Sequence, residues 1–402
     1  MRILHVVTAF PTTAQDIITP WLVELLKRLR AAGHDVEVFT SAYKGKGDQV
    51  FAGIPVHRFR YFFAPWENLT HEETAPDRMK RSLLYRLMPL PFVLAGMFAI
   101  WRLARRERYD LIHVHWPLPL ALFGWAAQRA HPAPLVTTFY GVELRWVKSS
   151  LKFLKRFVAW SARRSDRVVA ISSYTAAELR ELADVPVEVI PYTAALPMDS
   201  APLPTSRAAV PTILFVGRLV ERKGVAFLLE ALAKLQTPAR LEIVGDGAER
   251  TRLEGLARRL DVADRVVFRG KISDADLQRA YQAADVFVLP SMFDARGDTE
   301  GLGVVLLEAM HYGVPVIASR VGGIVDIVAH NESGVLVPPG EPAALATAID
   351  RLLSDRALAR RYGAAGKERL RLEFSWDAIT RRWDAVYRSL SSPHQSTPVR
   401  SQ

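Results

Sequence analysis

The 402-residue sequence predicts an α/β protein of two doubly wound, Rossmann-like domains in tandem. Three observations carry that prediction. Short apolar runs alternate with amphipathic segments through both halves of the chain. A stretch rich in proline and small residues, 196–211, separates the two series. In the second half, glycine turns and charged loops follow the ends of the predicted strands, where open α/β sheets bind ligands.

Taken in order, Ile3–Val7 reads as a buried strand, Trp21–Ala32 as an amphipathic helix stopped by Gly33, and Val36–Thr40 as the next strand. Strand, helix and strand at this spacing argue for a parallel sheet with crossover helices. The alternation continues at Leu111–Val114, Leu135–Thr138, Val168–Ile171 and Val187–Ile190, whereas 41–80 reads as irregular. The second series comprises Thr212–Val216, Leu241–Val244, Val266–Phe268, Val286–Leu289 and Val314–Ala318. Trp376–Leu390 reads as a last helix and Ser391–Gln402 as a disordered tail. The predicted organisation is therefore one domain over 1–197, a second over 198–375, a terminal helix over 376–390 and a tail over 391–402.

Composition narrows the class. Half of the residues are hydrophobic and 24% charged, as in ordinary soluble globular proteins. There is no cysteine, which excludes disulfides and thiolate metal sites and fits a cytoplasmic setting. The first apolar run is broken by His5 and followed by Phe10-Pro11, too short for a secretory signal. The net charge of +11 is uneven: residues 1–200 hold 26 Lys/Arg against 18 Asp/Glu, and residues 201–402 hold 27 against 24. A basic half suits nucleic acid, an anionic membrane or a phosphorylated substrate. No helix-turn-helix, zinc or stacking motif accompanies it, so nucleic acid is not the expected partner.

Two stretches raise the membrane question. Leu83–Trp101 is apolar except for Arg86 and about long enough to span, but Pro89, Pro91 and Arg86 interrupt it. It reads first as a core or interdomain helix, with interfacial and spanning helices as alternatives. Arg145–Arg164 has seven cations, no acidic residue, and Trp146, Leu151, Phe153, Leu154, Phe157 and Trp160 between them. That pattern predicts a basic amphipathic helix, set either on anionic lipid or as a solvated face over a packed stripe.

The residues that carry chemistry lie mainly in the second half. Asp298-Thr-Glu300-Gly301-Leu302-Gly303 precedes an apolar run that opens a helix, with Glu308 two turns in. Backbone amides and a helix N-terminus favour anionic oxygens, and two carboxylates suit hydroxyls. Gly217-Arg218 and Lys223-Gly224 set two cations in a strand-to-helix loop, suited to a diphosphate. Gly245-Asp246-Gly247 opens another strand end. Together these fit a nucleotide sugar. Two further patterns admit simpler readings: Ser273-Asp274-Ala-Asp276 is a helix capping box rather than a metal-binding pair. His113-Val-His115 places two imidazoles on one strand face without an evident third zinc ligand, so no metal site is expected.

These pieces, with Tyr281, Ala284-Asp285 through Pro290-Ser291, Gly313-Val-Pro315, Gly322-Gly323 and Gly334 to Pro338, resemble the retaining glycosyltransferases of family 4. The resemblance spans about 212–340 and is looser in the first half. It implies the GT-B fold, two Rossmann-like domains facing across a cleft, with the helix after Phe374-Ser375-Trp376 crossing back onto the first domain. It further implies that Arg218 and Lys223 grip the donor diphosphate, with Gly217 and Gly245 lining it. Glu300 and the amides of Gly301, Leu302 and Gly303 hold the transferred sugar, Glu308 takes the ribose hydroxyls, and backbone near Lys271-Ile272 meets the base. The nucleotide diphosphate sugar is a co-substrate, and no other cofactor is implied. Where the family often has His-Gly-x-Asp or His-Gly-x-Glu, this chain reads Tyr140-Gly141-Val142-Glu143. The glycine-rich loop after the first strand is replaced by Phe10-Pro11-Thr12-Thr13, Pro-Asn-Gly by Pro191-Tyr192-Thr193, and the glutamate after Gly322-Gly323 by Asp326. Tyr140, Glu143 and His115 are the candidate acceptor-side residues.

The reading is a metal-independent retaining transferase of a hexosyl unit, taking a glycan or lipid-linked acceptor in envelope or exopolysaccharide synthesis. It would lie peripherally on the inner face of the plasma membrane, through 145–164. The alternatives are a non-catalytic GT-B scaffold subunit and a nucleotide-sugar epimerase. A dinucleotide oxidoreductase would need a Gly-x-Gly-x-x-Gly where Thr8-Ala9-Phe10-Pro11 stands.

Overall fold

The computed structural model describes residues 1–16, 18–71, 75–80, 82–149, 151–194 and 210–391. The chain divides into two units. The first holds Met1–Ile171, Thr175–Ile190 and the chain from Ile379 onward; the second holds Ser172–Tyr174 and Pro191–Ala378. Most of the expected linker and the tail beyond residue 391 lie outside the described residues.

In the first unit the strands are β1 (Arg2–Val6), β2 (Asp35–Ser41), β3 (Gln49–Phe51), β4 (Ile54–Phe59), β5 (Leu111–His115), β6 (Leu135–Phe139), β7 (Arg167–Ala170) and β8 (Glu188–Val189). They form one sheet in the order β3-β4-β2-β1-β5-β6-β7-β8. All pairings are parallel except β3 with β4. The strand order reverses between β1 and β5, a topological switch point. All five residues of β5 and of β6 are buried, including the polar His113, His115, Thr137 and Thr138.

The stretch 41–80, expected to be irregular, carries β3 and β4. Its signal is weak because β3 has three residues and the turn between the strands is Ala52-Gly53 rather than an Asn-Gly pair. Both turn residues have positive φ, 50° and 79°. The stretch 83–101 forms two helices, Leu83–Leu87 and Pro89–Arg106. The longer helix buries Phe92, Gly96, Ile100 and Ala104, one every turn, against the helix Pro117–Ala130. Gly96 sets the approach, since a Cβ there would lie 2.2 Å from Phe123 Cζ. Among the described residues no helix is long and apolar enough to cross a membrane.

Residues 145–164 do not make one amphipathic helix. They divide among the helix Val142–Ser149, a 3₁₀ turn at Lys152–Leu154 and the helix Lys155–Arg164. Ser149 turns its hydroxyl back to the Arg145 carbonyl, the local competition that weakens helix interiors. Lys148 is an ion-pair partner of Glu178 and Glu181, 3.0 Å from each.

The last helix, Trp376–Ser391, contributes to the first unit from Ile379. His34 meets Asp384 at 2.8 Å, and the fully buried Tyr387 places its hydroxyl 2.8 Å from His113 Nδ1.

The second unit has β9 (Thr212–Val216), β10 (Arg240–Val244), β11 (Val266–Gly270), β12 (Val286–Leu289), β13 (Val316–Ser319) and β14 (Val335–Val337). All are parallel, in the order β11-β10-β9-β12-β13-β14, so the switch point lies between β9 and β12.

Replacing Tyr387 by Phe removes the hydroxyl and leaves His113 Nδ1 buried without a partner. Urea unfolding of Y387F is expected to show a loss of about 1–3 kcal/mol. A loss below about 0.3 kcal/mol would show that this bond does not tie the helix to the sheet.

Candidate functional site

The loops that leave β9 and β12 flank the second unit's switch point, and they meet through charge. After β9 the chain makes a 3₁₀ turn, Glu221–Lys223, that presents two consecutive cations. After β12 it runs through the loop to Glu300. Lys223, only 7% exposed, forms an ion pair with Glu300 Oε2, and Arg222 Nη1 lies 3.3 Å from the same oxygen. Arg222 Nε is also 3.7 Å from Asp298. The cluster thus contains an arginine that the sequence reading passed over. Its partner is 78 positions away, so nothing local distinguishes Arg222 from the exposed Arg218. Arg218 stands outside this ion-pair cluster.

The surrounding backbone is drawn close. At Gly245, where φ is 126°, a Cβ would come within 2.0 Å of the Gly217 carbonyl, so the ends of β9 and β10 can converge only with glycine there. Gly323 N–H donates to the Glu300 carbonyl at 3.0 Å and steadies the loop. Gly301 and the buried Leu302 lead to Gly303, which has φ 93° and opens the helix Val304–His311 without a side-chain cap. The first N–H groups of that helix are left to bind other acceptors, and its dipole favours anions.

Glu308, on that helix, pairs with a different element. The hydroxyl of fully buried Tyr281 donates to Glu308 Oε2 at 2.7 Å. Burial pushes the Glu308 carboxyl up to about 7 and the Tyr281 phenol well above 10. Ile272 is half-buried just beyond β11. Ser273 accepts from Asp276 N–H at 3.1 Å, so Asp274-Ala-Asp276 belongs to a helix cap.

In the first unit the corresponding edge is built on imidazoles. His5 on β1 is in register with His113 on β5, and with His115 they form a group whose ligand atoms lie within 4.8 Å of one another. The sequence offered two of these rings; the third comes from the neighbouring strand, 108 residues before His113. All three are fully buried, and burial holds His5 down at about 3 and the other two well below 6.5. Five of the six ring nitrogens have hydrogen-bond partners. His113 meets Tyr387 and Thr138, while His5 Nδ1 and His115 Nε2 are 3.0 Å apart. His115 Nδ1 meets the Tyr140 hydroxyl at 2.8 Å, leaving His5 Nε2 without a partner. His5 and His115 thus bond each other, His113 bonds Tyr387 and Thr138 instead, and one nitrogen of the group is left for a metal.

His115, expected on the acceptor side, therefore has no face to offer a substrate. Its influence passes through Tyr140, whose ring stacks on Trp116 at 4.3 Å and is 9% exposed. Tyr140 N–H donates to Glu143 Oε1 at 2.8 Å. Glu143 is fully buried, its Oε2 has no hydrogen-bond partner, and burial raises its carboxyl to about 7.

Comparison with known proteins gives a consistent result. Residues 205–369 match the model for glycosyl transferases group 1, and residues 20–192 match that for Glycosyltransferase Family 4. The chain is 31% identical over 361 residues to a GDP-mannose-dependent alpha-(1-6)-phosphatidylinositol monomannoside mannosyltransferase of Mycobacterium tuberculosis, covering 84% of this chain and 91% of the relative. It is 26% identical to the N-acetyl-alpha-D-glucosaminyl L-malate synthase of Bacillus anthracis, over 96% and 97% of the two chains. Among solved structures, sucrose-phosphate synthase from Thermosynechococcus elongatus superposes with a TM-score of 0.73 at 28% identity, over 97% and 98%. Anabaena HepE, solved with UDP and glucose, has a TM-score of 0.69 at 22% identity over 97% and 100%, a likeness of fold.

The raised Glu308 carboxyl has a measurable consequence. Its folded value of about 7 exceeds the ordinary 4.5, so ionisation costs the native state. The contribution of Glu308 to stability is complete below pH 4.5 and is lost as pH rises to 7. Urea unfolding should show wild type losing about 3 kcal/mol relative to Glu308→Gln across that window. Parallel stability curves would show that Glu308 ionises normally.

Proposed function

The chain belongs to the group 1, family 4 glycosyltransferases and has the GT-B fold, and on that premise we propose that it transfers a hexosyl unit from a nucleotide diphosphate sugar to a hydroxyl acceptor with retention of configuration. The observation that carries this reading is the Lys223–Glu300–Arg222 cluster at the switch point of the second unit. An ammonium has three N–H donors, and Lys223 spends one on Glu300. The other two serve the donor's phosphates, joined by Arg222, exposed Arg218 and the N–H groups from Gly301 to Gly303. Such fixed donors stabilise the charge that develops as the diphosphate departs. Glu300, held in place by Lys223 and Arg222, faces the hydroxyls of the transferred sugar. Glu308 binds the ribose and Ile272 borders the base.

In this reading the acceptor oxygen bonds to the anomeric carbon while the bond to the diphosphate breaks. The acceptor proton passes to a donor phosphate oxygen, so neither a protein nucleophile nor a metal ion is required. Relatives named for GDP-mannose and structures solved with UDP support a nucleotide-sugar donor. The phosphatidylinositol-linked acceptor named for one relative supports a lipid-linked or membrane-associated glycan. Envelope or exopolysaccharide synthesis at the inner face of the plasma membrane is the setting that follows. The contact to anionic lipid runs through the exposed cations of 145–164, namely Lys152, Lys155, Arg156, Arg163 and Arg164, beside Phe153.

Incubation with UDP-, GDP- and ADP-sugars should release nucleotide in the presence of EDTA. Lys223→Ala and Glu308→Ala should lower turnover at least 10²-fold, the scale of one lost electrostatic contact at a leaving group. Unchanged turnover in either variant would overturn its assignment, and an inverted product anomer would overturn retention.

Binding to phosphatidylglycerol vesicles should weaken as salt rises. Neutralising Lys152, Lys155 and Arg156 should weaken it at low salt, whereas Lys148→Gln, which loses a cation already paired, should change it little. Salt-independent binding would exclude a surface electrostatic contact.

A further inference from the structure

The first unit contains a cavity of about 540 Å³ beside Glu143, at the sheet edge where β1, β5 and β6 end. Phe92, Val93, Trp116, Leu118, Trp146 and Leu154 are among its walls, and among the described residues its polar lining is Thr8, Thr70, His71 and Glu143. Water gains little in such a space, and open apolar cavities of this size belong to ligands. Phe153 lines the cavity and is 76% exposed, so it stands at the mouth. Lys152, Lys155 and Arg156, all exposed, surround that phenylalanine in sequence.

The segment that supplies Met79, Pro89, Phe92 and Val93 to this wall also has an outer face. Leu83, Leu87, Leu90, Leu94 and Phe98 are between 58% and 70% exposed. Their spacing of three or four residues places them along one stripe of the helix pair. Arg86 and the exposed Arg102, Arg105 and Arg106 edge the stripe. A contiguous apolar stripe edged by arginines matches the depth profile of an anionic bilayer, with apolar side chains among acyl chains and guanidinium groups at phosphates.

We propose that this cavity holds the apolar chain of an amphiphilic acceptor, drawn from the bilayer on which the Leu83–Phe98 stripe rests. The proposal rests on the glycosyltransferase reading above and names its acceptor class. The chain lies between Val93, Trp146 and Leu154, the anionic head meets the cations beside Phe153, and the Glu143 carboxyl receives a hydroxyl of the head group.

The test uses n-octyl, n-decyl and n-dodecyl phosphate below their micellar concentrations, with binding read by calorimetry on the full chain. In wild type, Kd should fall about fourfold for each added methylene. Val93→Trp fills the cavity and Leu154→Asp places a charge on its wall, and each should weaken dodecyl phosphate at least tenfold. A nucleotide thermal shift retained in both variants would show that they fold. Affinity independent of chain length, or unchanged in two folded variants, would overturn the cavity assignment. If nucleotides bind and turn over while alkyl phosphates do not bind, the cavity proposal falls and the transferase reading stands. If chain-length dependence holds but no nucleotide sugar turns over, the transferase reading falls and the cavity assignment stands. For the bilayer source, L90S/L94S/F98S should reduce co-flotation with phosphatidylglycerol vesicles severalfold at high salt; undiminished flotation would overturn it.

Discussion

The ion pair between Lys223 and Glu300 is the contact on which the second unit's edge depends. It joins the loops after β9 and β12, adjacent strands on either side of the switch point. A nearly buried ammonium without a counter-ion would be driven to neutrality, and an isolated buried carboxylate likewise. Each ion therefore offsets the cost of burying the other, and Arg222 and Asp298 add one more charge of each sign beside them. Gly245 lets the ends of β9 and β10 converge.

The first unit solves the same topological problem with neutral groups. At its switch point stand His5, His113 and His115, all kept uncharged by burial, with His115 bonded to Tyr140 and His113 to Tyr387. Glu143, beside them, is likewise pushed toward its protonated form. One unit thus presents fixed charge and the other polar groups in a low-charge, apolar setting. The two tyrosines extend the arrangement, since Tyr387 brings the last helix of the chain into the network beneath the edge residues.

The outer face of the first unit follows from its interior. Helices that cover a sheet normally turn apolar residues inward and polar ones outward. The helix Pro89–Arg106 meets the first requirement through Phe92, Gly96, Ile100 and Ala104 but leaves Leu90, Leu94 and Phe98 to solvent. An all-round apolar helix on a surface is a cost to solubility unless lipid covers it.

Much of this was legible in the sequence because its causes are local. Parallel strands buried on both faces read as short apolar runs, and glycines mark the loops after them, so the two α/β series and most strand positions follow from pattern alone. Glu300, Lys223 and Glu308 were identifiable from residue type and place after a strand or within the first turns of a helix. The strands β3 and β4 were not, since a three-residue strand and an Ala-Gly turn carry little pattern. The broken course of 145–164 was hidden as well, because periodicity counts side chains and does not register Ser149 donating to the Arg145 carbonyl.

Tertiary structure alone decided which groups meet. Arg222 gained its role from carboxylates far along the chain, and Lys148 lost its apparent freedom to Glu178 and Glu181. His5 joined His113 and His115 because β1 and β5 pair in register, which no spacing along the chain reveals. The sequence determined the kind of fold and the chemical types at its strand ends. The pairing of distant strands determined which of those groups are buried, charged and in contact, because burial and hydrogen bonding depend on neighbours in space rather than in order.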